Sequence, residues 1–122
     1  MAKYKYRIVQ DKGWRFELLP NNSNHQYVGH SDNYSTKEDM LDGLKKFKSF
    51  MRAKREKIKY QQSIVENKES NLYFAFFVFS KNNERFFTRN YYHKSEIKKA
   101  IIRVSNNFDT EIRNDLTIEK EG

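Results

Sequence analysis

The sequence has no cysteine, a single proline and only four glycines in 122 residues. Without thiols the chain has neither disulfides nor cysteine-based zinc sites, and a small secreted scaffold, which usually depends on disulfides, is disfavoured. The four glycines stand far apart, which excludes a glycine-rich phosphate-binding loop. These absences favour a reducing, cytoplasmic location and a fold that depends on its hydrophobic core.

Long apolar runs are also lacking. Hydrophobic residues make up 37% of the chain, and no run approaches the ~20 residues that a membrane span needs. The chain starts with a strand-like segment and not with the apolar stretch of a signal peptide. Aromatic residues nevertheless reach 16%, and such large side chains bury enough area to form a core. We therefore expect one domain over residues 1–122.

Side chains with catalytic spacing are missing as well. The histidines His25, His30 and His93 form none of the short metal-binding patterns, and no nucleophile has a recognisable base. His25 and His30 with Asp32 offer the alternative of a metal site around a hairpin, but solvated loop histidines are far commoner than ligands. We therefore predict a protein that is not an enzyme and that holds no metal or cofactor.

An internal repeat of about 50 residues is the strongest positive signal. It is clearest in two helices, where apolar side chains recur at the same 4, 3, 4 spacing. The two series are Met40, Leu44, Phe47 and Met51, and Ile97, Ile101, Val104 and Phe108. Each marks the core-facing side of an amphipathic helix. The alternative is a chance similarity of two helices, because helical periodicity is easily matched.

Short strands flank both predicted helices, with a hairpin turn at residues 11–13. They are predicted at about residues 6–10, 14–19, 27–31 and 58–62 in the first copy, and at about residues 64–67, 72–76, 85–88 and 116–119 in the second. The chain is thus predicted to contain two tandem β-β-β-α-β units, at about residues 3–61 and 62–119.

Four short motifs resemble those of the YegP-like family: an aromatic strand, an Asn turn, a helix start with Tyr and Lys, and a Gly-apolar pair. They are Trp14-Arg15-Phe16, Asn21-Asn22, Tyr34-Ser35-Thr36-Lys37 and Gly43-Leu44. The resemblance spans nearly the whole chain. It implies an α+β fold in which both units build one antiparallel sheet, with exchanged terminal strands and both helices on one face. It implies no activity, because the family has none established.

Basic residues are concentrated in one segment. Residues 1–61 hold 14 Lys and Arg against 7 Asp and Glu, whereas residues 62–122 hold 10 against 9. Most of the excess lies between Lys45 and Lys59. If the first helix reaches about residue 57, the cations of this basic run stack as a stripe that can neutralise successive phosphates. The predicted nucleic-acid-binding residues are Lys45, Lys48, Arg52, Arg55 and Lys59. The alternative is a solvated helix flank whose side chains cover the core.

The strand from Leu72 to Phe79 is apolar on both faces. In a sheet whose helices cover one face, we expect Tyr73, Phe77 and Phe79 to be open to water. Exposed aromatic residues on a sheet stack bases or form a protein interface, and the absence of Lys or Arg between them on this strand favours the interface. The alternative is that the helices or the chain termini cover both faces.

Two binding functions follow from these features. The first is a non-catalytic module that binds nucleic acid through the basic helix. The alternative is a protein-interaction or inhibitory module, related to phage or to defence. Its aromatic face would bind a protein partner or a second copy of the chain. Exposed aromatic residues on the same surface as the basic run from Lys45 to Lys59 favour nucleic acid, whereas opposed surfaces favour a protein partner.

Overall fold

A computed structural model describes residues 3–22, 26–58, 63–113 and 118–119. In chain order the elements are β1 (Tyr4–Gln10), β2 (Trp14–Pro20), β3 (Gly29–Ser31), α1 (Lys37–Ile58), β4 (Ser63–Asn67), β5 (Leu72–Val78), β6 (Arg85–Thr88), α2 (Lys94–Asn107) and β7 (Ile118–Glu119). Within this described part of the chain, neither helix is long and apolar enough to cross a bilayer.

The strands form one sheet in the order β4-β5-β6-β3-β2-β1-β7. Six of them are antiparallel, from the hairpin that sets Gln10 opposite Trp14 to the central pair of β3 and β6. The α+β class and the antiparallel sheet are therefore confirmed for six strands. β7 departs from the prediction, because it runs parallel to β1 with Val9 opposite Ile118. It follows a helix, so no hairpin constrains its direction.

The strand predicted at residues 58–62 is not found as predicted. Ile58 is the last residue of α1, and residues 59–62 lie outside the described residues. The predicted strand at residues 116–119 corresponds to β7, of which residues 118–119 are described.

The predicted apolar series on both helices are confirmed as buried faces. Met40, Phe47 and Met51 on α1 are fully buried, and Leu44 is 4% exposed. On α2 the corresponding side chains from Ile97 onward are buried as completely. The hydroxyl oxygen of Thr36 accepts a hydrogen bond from the Asp39 N–H at 3.1 Å, which caps the start of α1.

Aromatic stacking holds α1 on the centre of the sheet. The Phe47 ring lies 4.4 Å from that of Phe86 in β6 and 5.6 Å from that of Phe16 in β2, measured between centroids. Ile97 and Ile101 of α2 belong to the same apolar cluster. Both helices therefore pack on one face, as expected.

The side of β5 that faces the helices is the one that was predicted to face solvent. Phe77 stacks on Phe50 of α1 at 5.9 Å, Phe79 is 4% exposed, and Tyr73 packs against the core. These three residues face the helices, so the expectation that they are open to water was wrong. Leu72 and Phe74 belong to the opposite face. Both sets of side chains are apolar, and a shift by one residue exchanges them.

The sheet face away from the helices has two different halves. On β1 and β2, Val9, Glu17 and Leu19 are at most 1% exposed, so this half is buried on both faces. On β5 and β6, Phe76 and Phe87 are only half-buried, and Val78 is 42% exposed. The solvent-facing aromatic surface is therefore the β5–β6 half of this face.

Candidate functional site

Five rings form a continuous cluster on the sheet face away from the helices, and we call this cluster the aromatic patch. Its members are Tyr27, His30, Phe74, Phe76 and Phe87, all half-buried. The Phe87 ring is central, with its centroid 5.4 Å from that of His30 and 6.0 Å from that of Phe76. Tyr27 packs edge-on against His30 at 5.5 Å. Each ring keeps part of its surface in contact with solvent.

Strand pairing brings these rings together although they are distant in sequence. Phe76 in β5 lies opposite Phe87 in β6, and Phe87 lies opposite His30 in β3. The same row continues through Glu17 in β2 to Arg7 in β1. Residues directly opposite each other share a face and interact, so one transverse row runs from aromatic to charged side chains.

Arg85 carries a cation onto the aromatic patch. Its guanidinium carbon lies 5.3 Å from the centroid of the Phe87 ring and 5.9 Å from that of Phe76, within the range of cation–π attraction. Its Nε is 3.3 Å from Oδ2 of Asp32. Arg85 is exposed, as is Arg89, the residue that follows β6. The patch therefore combines ring faces with solvent-accessible guanidinium groups.

His30 is neutral at physiological pH and presents an acceptor. Its Nδ1 lies 2.8 Å from the Ser31 carbonyl oxygen. A carbonyl only accepts, so Nδ1 carries the proton and Nε2 is left with a lone pair. Burial is the main cause that lowers the pKa of His30, and the positive charge of Arg15 adds to it. The imidazole therefore offers both a ring face and one hydrogen-bond acceptor.

A buried ion-pair cluster stands beside the patch. Glu17 is fully buried and accepts hydrogen bonds from Arg7 at 2.6 Å and from Arg15 at 3.1 Å. Two cations on one carboxylate leave an excess positive charge at this edge of the patch. Arg15 also lines a hollow of about 150 Å³ together with Tyr27 and His30.

A second hollow, of about 270 Å³, opens on the patch itself. Its walls are ring faces together with polar side chains and no carboxylate. The lining residues are Tyr27, His30, Asn67, Phe74, Phe87, Thr88 and Asn90. Flat apolar walls with a few hydrogen-bonding groups suit a planar, polar-edged ligand.

The predicted basic stripe lies on a flank of α1, in the helix layer. Lys45, Arg52 and Arg55 are exposed, while Lys59 lies outside the described residues. Lys48 is partly buried with its Nζ 5.4 Å from the centroid of the Tyr6 ring, and this burial lowers its pKa. Arg52 lies 3.1 Å from Asp109. The stripe and the aromatic patch are on opposite sides of the sheet.

Sequence reasoning therefore identified the wrong aromatic set. Tyr73, Phe77 and Phe79 belong to the core-facing side, and the half-exposed rings of Phe74 and Phe76 replace them. Phe87 and His30 were missed because they come from other strands. For Phe87 the available signal is the two-residue period of a strand, which puts it on the same face as Arg85 in β6.

No group of three His, Asp or Glu side chains that could hold a metal occurs among the described residues. His25, which the alternative metal site requires together with His30 and Asp32, lies outside them.

Comparisons with known proteins bear on the fold. No family model and no curated protein matches the sequence. YegP from E. coli, a protein of unknown function with a solution NMR structure, is similar with a TM-score of 0.73 and 12% identity, over 100% of this chain and 98% of that one. A UPF0339 protein from Shewanella oneidensis is similar with a TM-score of 0.67 and 14% identity, over 94% of both chains. The chain therefore has the YegP-like fold that its sequence motifs predicted.

Proposed function

We propose that this protein is a non-catalytic module that binds single-stranded nucleic acid on the aromatic patch. The observation that carries the proposal is the position of Arg85 over the half-exposed rings of Phe76 and Phe87. Proteins that bind single strands usually stack unpaired bases on aromatic side chains of a β-sheet and bind the phosphates with neighbouring basic side chains. A reducing cytoplasmic location, which the cysteine-free sequence favours, belongs to the same proposal.

Stacking supplies the first part of the binding energy. Each base that stacks on an aromatic side chain contributes about 1–3 kcal/mol, largely independent of sequence. The row of Phe76, Phe87 and His30 offers adjacent stacking positions. The Nε2 acceptor of His30 and the amide of Asn90 add hydrogen-bonding groups beside these rings. We therefore expect binding with a modest base preference.

Cations around the patch supply the second part. Arg85 and Arg89 are exposed beside the rings, and Arg15 lines the neighbouring hollow. The formal net charge of +8 favours approach of a polyanion. The criterion for nucleic-acid binding was a surface shared by the exposed aromatic residues and the basic run on α1. That run lies across the sheet from the rings, an arrangement that favours a protein partner, so the present proposal rests on the exposed Arg85 and Arg89 instead.

The stripe on α1 is a second candidate surface for nucleic acid. α1 extends to Ile58, which puts Lys45, Arg52 and Arg55 on one solvent-exposed flank. Its electrostatic attraction is reduced because Arg52 pairs with Asp109. Such a surface would contact phosphates without reading bases.

A protein partner is the alternative occupant of the aromatic patch. Val78 is 42% exposed, and Arg85 is already paired with Asp32. Aliphatic, aromatic and arginine side chains together are typical of a protein interface. An inhibitory or defence-related role belongs to this alternative.

We further propose that the chain consists of two tandem units with exchanged terminal strands. Trp14 and Tyr34 exchange two backbone hydrogen bonds at 2.8 and 2.7 Å, and Tyr73 and Tyr91 do so at 2.7 and 2.8 Å. Lys37 lies 6.0 Å from the Trp14 ring, and the lysine that starts α2 lies 5.4 Å from the Tyr73 ring. The pairing of β7 with β1 supports exchange of one terminal strand.

Fluorescence anisotropy with labelled single-stranded DNA and RNA tests the main proposal. We expect Phe87→Ala and Phe76→Ala each to weaken binding by about 1–3 kcal/mol, because each removes a stacking surface. Ile102→Ala is the matched control, since Ile102 is 45% exposed but lies on α2. Equal affinity of all three variants and the parent protein would reject the patch as the binding surface.

A further inference from the structure

A cleft of about 410 Å³ lies between the end of β6 and the flank of α2, and we call it the α2 cleft. Its lining combines three cations, two tyrosines, one carboxylate and one amide. These residues are Arg89, Asn90, Tyr91, Tyr92, Glu96, Lys99 and Arg103. Tyr92 is 75% exposed, so a large ring surface stands at the mouth of the cleft.

The α2 cleft holds more cations than acids. In the described part of the chain, no ion pair involves Arg89, Lys99 or Arg103. With Glu96 as the single acid, the lining carries a formal charge of +2. Burial raises the pKa of Tyr91, and the positive charges of Arg103 and Arg89 oppose that rise, which indicates that both cations act on its hydroxyl.

The corresponding place beside α1 is occupied by a carboxylate. Tyr34 donates a hydrogen bond to Oε1 of Glu84 at 2.9 Å, and Nζ of Lys46 is 3.5 Å from its Oε2. Tyr91 precedes α2 as Tyr34 precedes α1, and Arg103 has the helix position of Lys46. A tyrosine hydroxyl and a helix cation thus hold an anionic group on one side of the molecule. The α2 cleft presents the same pair with two further cations.

The surroundings of α1 and α2 also differ in the space that is left beside each helix. A side chain at Gly43 would collide with the Tyr34 hydroxyl, so glycine is what allows this tyrosine to lie against α1. α2 has Ala100 at the equivalent helix position, where a methyl group is incompatible with the approach that Tyr34 makes to Gly43. The α2 cleft is therefore left open where its counterpart is filled.

We propose that the α2 cleft binds the phosphate monoester of a nucleotide. A monoester carries a charge of about −1.5 to −2 at neutral pH, which matches the cleft, whereas an internal phosphodiester carries a single charge. Arginine and lysine are the side chains that bind phosphate oxygens, and the exposed Tyr92 ring is placed to stack on the attached base.

The cleft adjoins the aromatic patch. Asn90 lines both the α2 cleft and the hollow beside Phe87. This part of the inference rests on the proposed function: the monoester is the terminal phosphate of a strand that lies on the patch. The protein then prefers strands with a phosphorylated end over strands with a hydroxyl end.

NMR titration of the ¹⁵N-labelled protein tests the cleft without any polymer. Inorganic phosphate and AMP should shift the amide signals of Asn90, Tyr92 and Lys99, while adenosine, which lacks the phosphate, should leave Lys99 unshifted and shift Tyr92 less than AMP does. The double variant Lys99→Gln with Arg103→Gln should weaken AMP binding about tenfold or more, through loss of charge-assisted hydrogen bonds. Lys98→Gln is the control, because Lys98 is exposed on α2 outside the cleft. Unchanged signals with phosphate and AMP would overturn the proposal.

Fluorescence anisotropy with oligonucleotides of about 12 nucleotides tests whether the protein recognises a terminal phosphate. Strands with a 5′ or 3′ phosphate should bind about tenfold more tightly than the unphosphorylated strand, and the double variant should lose this difference. Binding of AMP without binding of any strand would support the cleft and reject the proposed function. Equal affinity for phosphorylated and unphosphorylated strands would overturn the assignment of the monoester to a strand end.

Discussion

The guanidinium of Arg85 lies 5.3 Å from the centroid of the Phe87 ring, on the sheet face that neither helix covers. The two residues are close in sequence and share a face because their strand alternates. Phe86, between them, points to the other face and stacks on Phe47. One short strand thus contributes both to the core and to the candidate binding surface.

The salt dependence of nucleic-acid binding distinguishes the two basic surfaces, which are Arg85 with Arg89 beside the patch and the stripe on α1. We expect the double variant Arg85→Gln with Arg89→Gln to flatten the slope of log affinity against log salt by about 0.7 for each phosphate that the protein no longer neutralises. The triple variant Lys48→Gln, Arg52→Gln and Arg55→Gln should change the slope less, because the α1 stripe lies across the sheet from the rings. Fluorescence anisotropy at two salt concentrations measures the slope for each variant. A larger effect of the triple variant would place binding on α1.

A core substitution tests the packing of α1. Phe47 is fully buried and stacks on Phe86 at 4.4 Å, so Phe47→Ala should lower the free energy of unfolding by about 3–5 kcal/mol. Urea denaturation followed by circular dichroism provides the measurement. Tyr92→Ala, at a position 75% exposed, should have little effect. A similar decrease in both variants would contradict this packing.

The two faces of β5 are distinguished by charge substitution. Phe77→Glu should destabilise the protein strongly, because the half-buried Phe77 packs against Phe47 and Phe50 and a carboxylate among apolar rings is costly. Phe76→Glu should leave a folded protein. If a second copy is the partner of the aromatic patch, light scattering of the parent protein should detect a dimer that Phe76→Glu dissociates. A Phe77→Glu variant as stable as Phe76→Glu would show that the assignment of the faces is wrong.

The buried Glu17 is expected to be essential for stability. Substituting Gln removes the carboxylate charge that faces the buried Arg7, and breaking such a buried pair costs about 3–5 kcal/mol. Glu17→Gln should therefore be strongly destabilised in urea. Asp109→Asn is the matched control, because Asp109 and Arg52 are 60% and 57% exposed and a surface pair contributes about 0–1 kcal/mol. Equal destabilisation of the two variants would contradict a buried ion pair.

His30 should make stability depend on pH. Burial lowers its pKa in the folded state, so between the folded value and the unfolded value of about 6.5 the unfolded chain binds more protons. The contribution of His30 to stability is therefore complete above about pH 6.5 and is lost as the pH decreases through this window. The decrease in melting temperature between neutral and mildly acidic pH should be smaller in His30→Gln than in the parent or in the exposed-site control His93→Gln.

Much of the fold is decided by local patterns in the sequence. Apolar spacing on α1 and α2 predicted which residues are buried, because a helix has one face toward its sheet. The motif around Trp14 and the helix start after Tyr34 predicted the YegP-like fold. The direction of β7 was not predictable, since strand pairing between chain ends depends on contacts far apart in sequence.

Which aromatic residues face solvent was decided by tertiary structure alone. Both sides of β5 are apolar, so the sequence pattern does not distinguish Phe76 from Phe77; only the packing of α1 on Phe77 does. Likewise, the sequence determined that cations are abundant, whereas pairing of β3 with β6 brought His30 to Phe87 and so created the patch beneath Arg85. Side-chain chemistry is local in the chain, but a surface is made of residues that only long-range strand pairing brings together.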